Sequence, residues 1–230
     1  MALDVDDLLG LLRRELSDVE EPYLWADDDL FQYLDEAQEA FARTTELFSD
    51  ATTASVTRVS VTAGQPFVAL SPKVHRIEGD MWLQTAKQTV SEANLNELDS
   101  LYCGDDYGHA SGGRWRSATG TPRYLVLDIE RDKGRLVPIP TAADTLELHV
   151  IRLPLKSVTE PGGLEVTDTW HQRALVAYAK GLAYDKNDID TQDAQLAAQF
   201  KAEALSQMFE IRDETRRKRR RPGTVRYGGL

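Results

Sequence analysis

The residues of this chain whose types suit chemistry are four histidines, one cysteine and a few adjacent acids, and their spacing completes no reactive site. His75, His109, His149 and His171 fall on segments that read as strand, loop, strand and helix, with none at metal-ligand spacing from another or from Cys103. Each reads as a surface or interface residue rather than a general base. Asp105 and Asp106, in Gly104-Asp105-Asp106-Tyr107, offer two carboxylates of the kind a magnesium-dependent phosphoryl transfer starts from. A third carboxylate cannot be located and Asp beside Gly is ordinary loop chemistry, so a metal-dependent enzyme using Asp105 and Asp106 ranks last among the readings. The run from Asp185 to Asp190 opens like a calcium loop but has Ile189 at its fifth position and no glycine at its sixth; it reads as an interhelix turn ending in a cap. No phosphate-binding G-x-x-x-x-G-K-S/T, no G-x-G-x-x-G and no G-x-S-x-G occurs. The expectation is a protein that is not an enzyme and holds neither metal nor cofactor.

Two other constellations suit recognition. Arg114-Trp115-Arg116, flanked by Gly112-Gly113 and Ser117, combines residue types enriched at protein interfaces, against the plainer reading of a tryptophan that pins its own loop. The second is the charge of the last twenty residues, where eight basic side chains stand against Asp213 and Glu214, a balance of +6. With −11 for the whole chain, the first 210 residues hold −17. Arg216, Arg217, Lys218, Arg219, Arg220 and Arg221 are consecutive, and Arg226 and Tyr227 follow. Such a segment does not bury itself, and it suits nucleic-acid phosphates, an address signal or an acidic protein partner. Extended, residues 216–230 reach about 50 Å at about 3.3 Å each, farther than the radius of a domain this size. Val225, Tyr227 and Leu230 add apolar anchors that a purely electrostatic DNA arm does not need, which favours a protein groove.

These features need elements to carry them. Val5, Leu8, Leu9, Leu12 and Leu16 recur at helical spacing, with Asp4 or Asp6 as cap. After Pro22, Leu30, Leu34, Ala37, Phe41, Thr44 and Phe48 form the stripe of a second helix from Asp27, with Asp35, Glu36, Gln38, Glu39 and Arg43 facing away. The period then becomes two, with strands expected at 58–62, 65–70, 74–83, 123–130, 135–139 and 145–151, a short helix within 89–102, and a loop over 104–120. Helical spacing returns behind Asp168 through His171, Ala174, Leu175, Tyr178 and Leu182, and behind Asp190 or Thr191 through Ala197, Phe200, Ala204, Met208 and Ile211. The fold class is α+β: a helical unit from residues 1–54 and 167–215, an inserted antiparallel β domain over 55–166, and an extended basic tail over 216–230. A hydrophobic content of 41% suffices for a core. No apolar run approaches the ~18 residues of a membrane span. The acidic start lacks the basic region of a secretory signal, and one cysteine excludes an intramolecular disulfide, so a reducing cytoplasm is expected.

The order of parts carries a resemblance. It rests on the segment Leu30-Phe31-Gln32-Tyr33-Leu34-Asp35-Glu36-Ala37-Gln38, then Gly120-Thr121-Pro122-Arg123-Tyr124 and Leu136-Val137-Pro138-Ile139-Pro140, then Leu146 to Pro154 and Trp170 to Tyr178, closed by the basic end. The chain resembles the head-to-tail connector (adaptor) proteins of tailed bacteriophages, including the tail tubular proteins of short-tailed phages. The resemblance implies a structural virion protein at the head-tail junction, forming a dodecameric ring below the portal around the channel that passes DNA. It implies a C-terminal extension docked in the portal protein, assigned to Arg216, Arg217, Lys218, Arg219, Arg220, Arg221, Arg226 and Tyr227. It also implies a β domain facing a tail nozzle or tail-completion protein, with Arg114, Trp115 and Arg116 on that side. An acidic body around DNA repels phosphate and lets the duplex slide. The alternative is a nucleic-acid-binding protein that uses the basic tail.

Overall fold

The computed structural model describes residues 3–101, 114–130, 132–186 and 192–219. They fall into two compact units, one drawn from Met1–Phe48 and Leu153–Leu230 and the other from Ser49–Arg152. The class is α+β, with N- and C-terminal helices packed together and a central β region.

The first unit is built from α1 (Val5–Leu16), α2 (Asp27–Thr45), α5 (Thr169–Asp185) and α6 (Ala194–Arg219). Asp4 caps α1 by accepting the Asp7 N–H at 2.8 Å, and Asp168 caps α5 by accepting that of Trp170 at 2.8 Å. For α6 the cap is Asp193, which accepts the N–H groups of Gln195 and Leu196, while Asp190 and Thr191 lie outside the described residues. These carboxylates satisfy donors that a helix start leaves without partners. Leu8, Leu12 and Leu16 of α1 and Leu30, Leu34, Ala37 and Phe41 of α2 enter one core with Ala174, Leu175 and Ala179 of α5 and Met208 and Ile211 of α6.

Helix α5 is the centre of this unit, packed on α1, α2 and α6. Small residues make that position possible. A Cβ on Gly181 would come within 3.1 Å of the Ala197 carbonyl oxygen, so α5 and α6 cross more closely than alanine would allow.

Two side chains of α2 assigned to the solvent face do other work. The Gln38 amide is 1% exposed; its Nε2 donates to the Gly163 carbonyl at 2.9 Å and its Oε1 accepts the Glu165 N–H at 2.8 Å. Asp35 accepts from Ser157 Oγ and the Val158 N–H. Both hold the irregular segment 157–165, whose Val158 joins the core. A polar residue can replace a missing sheet partner for a buried backbone, and periodicity alone misses it.

The second unit begins at β1 (Ser49–Asp50) and α3 (Ala54–Thr57), and then strands dominate. Strands β2 (Arg58–Val61), β3 (Phe67–Ala69), β5 (Met81–Leu83), β6 (Gln88–Glu92), β8 (Tyr124–Glu130), β9 (Lys133–Val137) and β11 (Asp144–Glu147) form one sheet in the order β2-β11-β5-β6-β8-β9-β3. Its two edges, β2 and β3, lie against each other, so the sheet is curled. Val59, Leu146 and Leu83 sit side by side on the buried face, as do Met81 and Val90. The pairing is antiparallel except for β6 with β8 and for the short pair β7 (Thr119–Gly120) and β10 (Ile139–Pro140), which are parallel. The β6–β8 crossover includes α4 (Leu95–Leu101), the short helix expected within 89–102, which begins only after β6 has taken the first residues of that stretch.

The run expected as one strand over 145–151 serves two sheets. Residues up to Glu147 belong to the curled sheet, and β12 (Val150–Arg152) pairs instead with β1 and β4 (Val74–Ile77). Val150 and Ile151 are both fully buried, which an alternating strand does not produce.

Candidate functional site

The basic cluster at the end of the chain is part helix. Arg216, Arg217, Lys218 and Arg219 form the last turn of α6, where cations oppose the negative end of the helix dipole. The cluster is thus not extended from Arg216 onward; α6 runs for 26 residues, and its helical pattern carries through the arginines because arginine and lysine are good helix formers. Arg220, Arg221, Arg226 and Tyr227 lie outside the described residues.

The four described cations do different things. Arg219 turns inward, its Nη2 donating to the Glu46 carbonyl at 2.8 Å and within 3.4 Å of that of Leu47, at the C-terminal end of α2. Glu46 is there the left-handed cap of α2 (φ 54°), so Arg219 supplies a donor to carbonyls the helix leaves open. Arg216 approaches the Glu46 carboxylate at 3.6 Å. Lys218 bonds Glu214 one turn back at 2.7 Å, and its ammonium holds the Glu214 carboxyl below its ordinary value. Arg217 is exposed and has no ion-pair or hydrogen-bond partner among the described residues. The turn therefore clips α6 to α2 through Arg219 and presents Arg217 and Lys218 to solvent beside the point where residues 220–230 begin. Arg219→Ala is expected to cost the helical unit about 1–2 kcal/mol, the range of a hydrogen bond to a charged donor, read by urea denaturation.

In the β unit Arg114–Arg116 is a single 3-10 turn. Trp115 is 2% exposed, among Ala93, Leu98, Val126 and Val137, and its Nε1 donates to Asp99 Oδ1 at 2.6 Å. The guanidinium groups of Arg116 and Arg135 lie 4.4 and 5.1 Å from the centre of its ring. Burial, and after it the charge of Arg116, lowers the pKa of Arg135, whose Nη2 donates to the Arg116 carbonyl. Trp115 accordingly pins its own segment to the sheet, the plainer of the two sequence readings, and it is Arg116 that reaches solvent. Trp115→Phe keeps an aromatic side chain but truncates the indole, removing the bond to Asp99 and leaving a small cavity; a loss of about 2–3 kcal/mol is expected in the same denaturation experiment.

The remaining sequence candidates are not gathered into a site. Asp105 and Asp106 lie outside the described residues, as do Cys103 and His109. His149 bonds Ser49 Oγ at 2.7 Å, and His171 packs its ring on Phe41, each within its own unit. No group of three or more His, Cys, Asp or Glu side chains among the described residues could hold a metal ion. No described helix is long and apolar enough to cross a membrane.

Sequence reasoning missed the most elaborate polar network in the helical unit, between α1 and α2. Arg13, 8% exposed, donates to Asp18 Oδ2 at 2.7 Å, to the Trp25 carbonyl at 3.1 Å and to Asp27, and its guanidinium stacks on Tyr23 at 3.9 Å. The signal was present, since Arg13 follows Leu12 in α1 and stands three residues before the next leucine, Leu16, close to the apolar stripe.

No curated protein matches the chain. The profile of the SU10 adaptor protein matches residues 3–226, which takes in both units and the basic end, and that family is one of phage structural adaptors rather than enzymes. By a match across nearly its whole length, this chain belongs to the SU10 adaptor protein family of phage head-tail adaptors.

Proposed function

We propose that the chain forms a ring of identical subunits between the portal protein and the tail, docked on the portal by its C-terminal segment. The observation that carries this reading is the end of α6: Arg219 fixes the helix to α2, and Arg217 and Lys218 stand exposed where residues 220–230 leave it. Arg220, Arg221, Arg226 and Tyr227 continue the same chemistry in sequence, a cationic stretch with apolar anchors suited to an acidic protein groove. The β unit, with Arg116 at its surface, faces tail components such as a nozzle or completion protein. Twelve copies give a channel whose acidic subunits, −17 each over the first 210 residues, repel the DNA that passes through it.

Binding of the full chain to purified portal in the absence of DNA tests this reading. Capture by portal, with duplex DNA of the same length range left unbound at physiological salt, is the expected result. Retention of duplex DNA that needs no portal and falls steeply with salt would instead establish the nucleic-acid reading.

A further inference from the structure

The helical unit carries two exposed apolar features that its own fold leaves uncovered. One is the connection between α1 and α2, where Val19 is 57%, Tyr23 43% and Leu24 55% exposed. This is not a slack loop. Asp18, 4% exposed, accepts the N–H groups of Leu24 at 2.8 Å and Trp25 at 3.3 Å, Arg13 locks Asp18 from behind, and the Trp25 indole donates to the Ala183 carbonyl at 3.2 Å. Burying an ion pair is costly, and what this one secures is the conformation of a loop that shows three large apolar side chains to solvent. Glu20 and Glu21 stand between them, exposed and without partners among the described residues.

The other feature is a groove of about 410 Å3 between α1, α5 and α6. Leu11, Val176, Ala177 and Phe200 line its apolar part, and Trp170, 51% exposed, stands in its wall. Its cations are Arg173, exposed and without a partner among the described residues, and Lys180, which bonds Glu15 at 3.2 Å and lies 4.1 Å over Phe200. Its acids are Glu15, engaged by Lys180, and Glu203, engaged by Gln207. The loop offers apolar side chains with two unpaired acids; the groove offers an apolar lining with an unpaired cation.

The two features lie on opposite sides of α1. Leu11 and Glu15 face the groove, whereas Arg13, about 200° round the helix from each, holds the loop. A patch and its complement on opposite sides of one rigid body make a heterologous contact, the kind that closes into rings. The geometry points to a second copy of this chain as the occupant: Val19, Tyr23 and Leu24 of one subunit seat in the Trp170 groove of the next, with Glu20 and Glu21 against Arg173. This deepens the ring reading and rests on it. A plug of this size buries less than the roughly 800 Å2 per partner of a standard stable interface, so pairwise association is weak and rises with concentration.

Sedimentation velocity on the full chain over rising concentration tests the contact. The wild type is expected to associate beyond the dimer, and Leu24→Glu or Trp170→Glu, both at half-exposed positions compatible with folding, to weaken association about thirtyfold or more. An equimolar mixture of the two variants keeps one intact plug and one intact groove, and it should form dimers and stop there. Circular dichroism matching wild type confirms that each variant folds. A wild type that stays monomeric, variants that associate like wild type, or a mixture that stays monomeric would each overturn the contact. If the variants still form rings on portal, this surface is wrong and the ring reading stands; if the wild type forms no ring on portal either, both fail.

Discussion

Asp50→Ala is expected to destabilise the β unit by about 3–5 kcal/mol, the cost of leaving a buried charge without its partner. Asp50 and Arg152 face each other at 2.7 Å, with side chains only 7% and 14% exposed, and they are the second and the last residues of the unit's sequence span. Strands β1 and β12, which carry them, pair antiparallel, so the ion pair closes the stem by which the inserted segment enters and leaves. The Asp50 carboxylate also accepts the N–H groups of Thr52 and Thr53 at 2.8 and 2.9 Å. Hydrogen exchange at the amides of β1 and β12 reads the effect, and protection should fall about a hundredfold or more.

The same site gives a pH dependence of known sign. Burial alone pushes the Asp50 carboxyl up, but the bonds from Thr53, Thr52 and the Arg152 guanidinium outweigh it and hold the group well below its ordinary 3.8. A group with a depressed folded pKa contributes its full stability above the unfolded value and loses it as pH falls towards the folded one. The wild type should therefore lose protection as the pH falls below about 4, and Asp50→Asn should start lower and show a flatter acid limb.

The second large effect concerns function. A chain ending at Arg219 is expected to fold with unchanged melting temperature and to lose detectable binding to portal. The position of the cut matters because Arg216 and Arg219 are engaged with α2; removing everything from Arg216 would strip the clip along with the docking segment. Arg217→Glu with Lys218→Glu is the complementary variant, since both side chains are exposed and neither touches α2. It should weaken portal binding while leaving the fold intact, and the deficit should shrink as salt screens the charges. Portal binding by the chain ending at Arg219 at wild-type strength would remove the docking segment from the account.

The helices were legible because their apolar residues repeat at 3.6 and their caps are carboxylates, as at Asp4 and Asp168. The strands around Val59, Val61 and Leu146 were legible for the parallel reason, alternation at two. The packing of the first and last helices into one unit was legible too, but the particular contacts between segments far apart in sequence were not. Nothing local tells that Gln38 will serve the backbone of Gly163 and Glu165, or that the run through Val150 will leave one sheet for another. Small residues hid the central place of α5, because Ala174, Ala179 and Gly181 add little to an apolar stripe while permitting its closest packing. The basic cluster was legible as charge, but its division into an inward clip at Arg219 and an outward face at Arg217 and Lys218 needed the end of α2 beside it. Trp115 was ambiguous for the same reason, its partner Asp99 lying sixteen residues earlier on another element.

Electron microscopy of the full chain mixed with its purified portal tests the central claim most directly. The account predicts a ring of this protein coaxial with the portal, twelvefold in symmetry, with density for residues 220–230 running from the end of α6 onto portal subunits. Particles of bare portal, or a ring that contacts the portal only through other surfaces while its C-terminal segments point away, would contradict it.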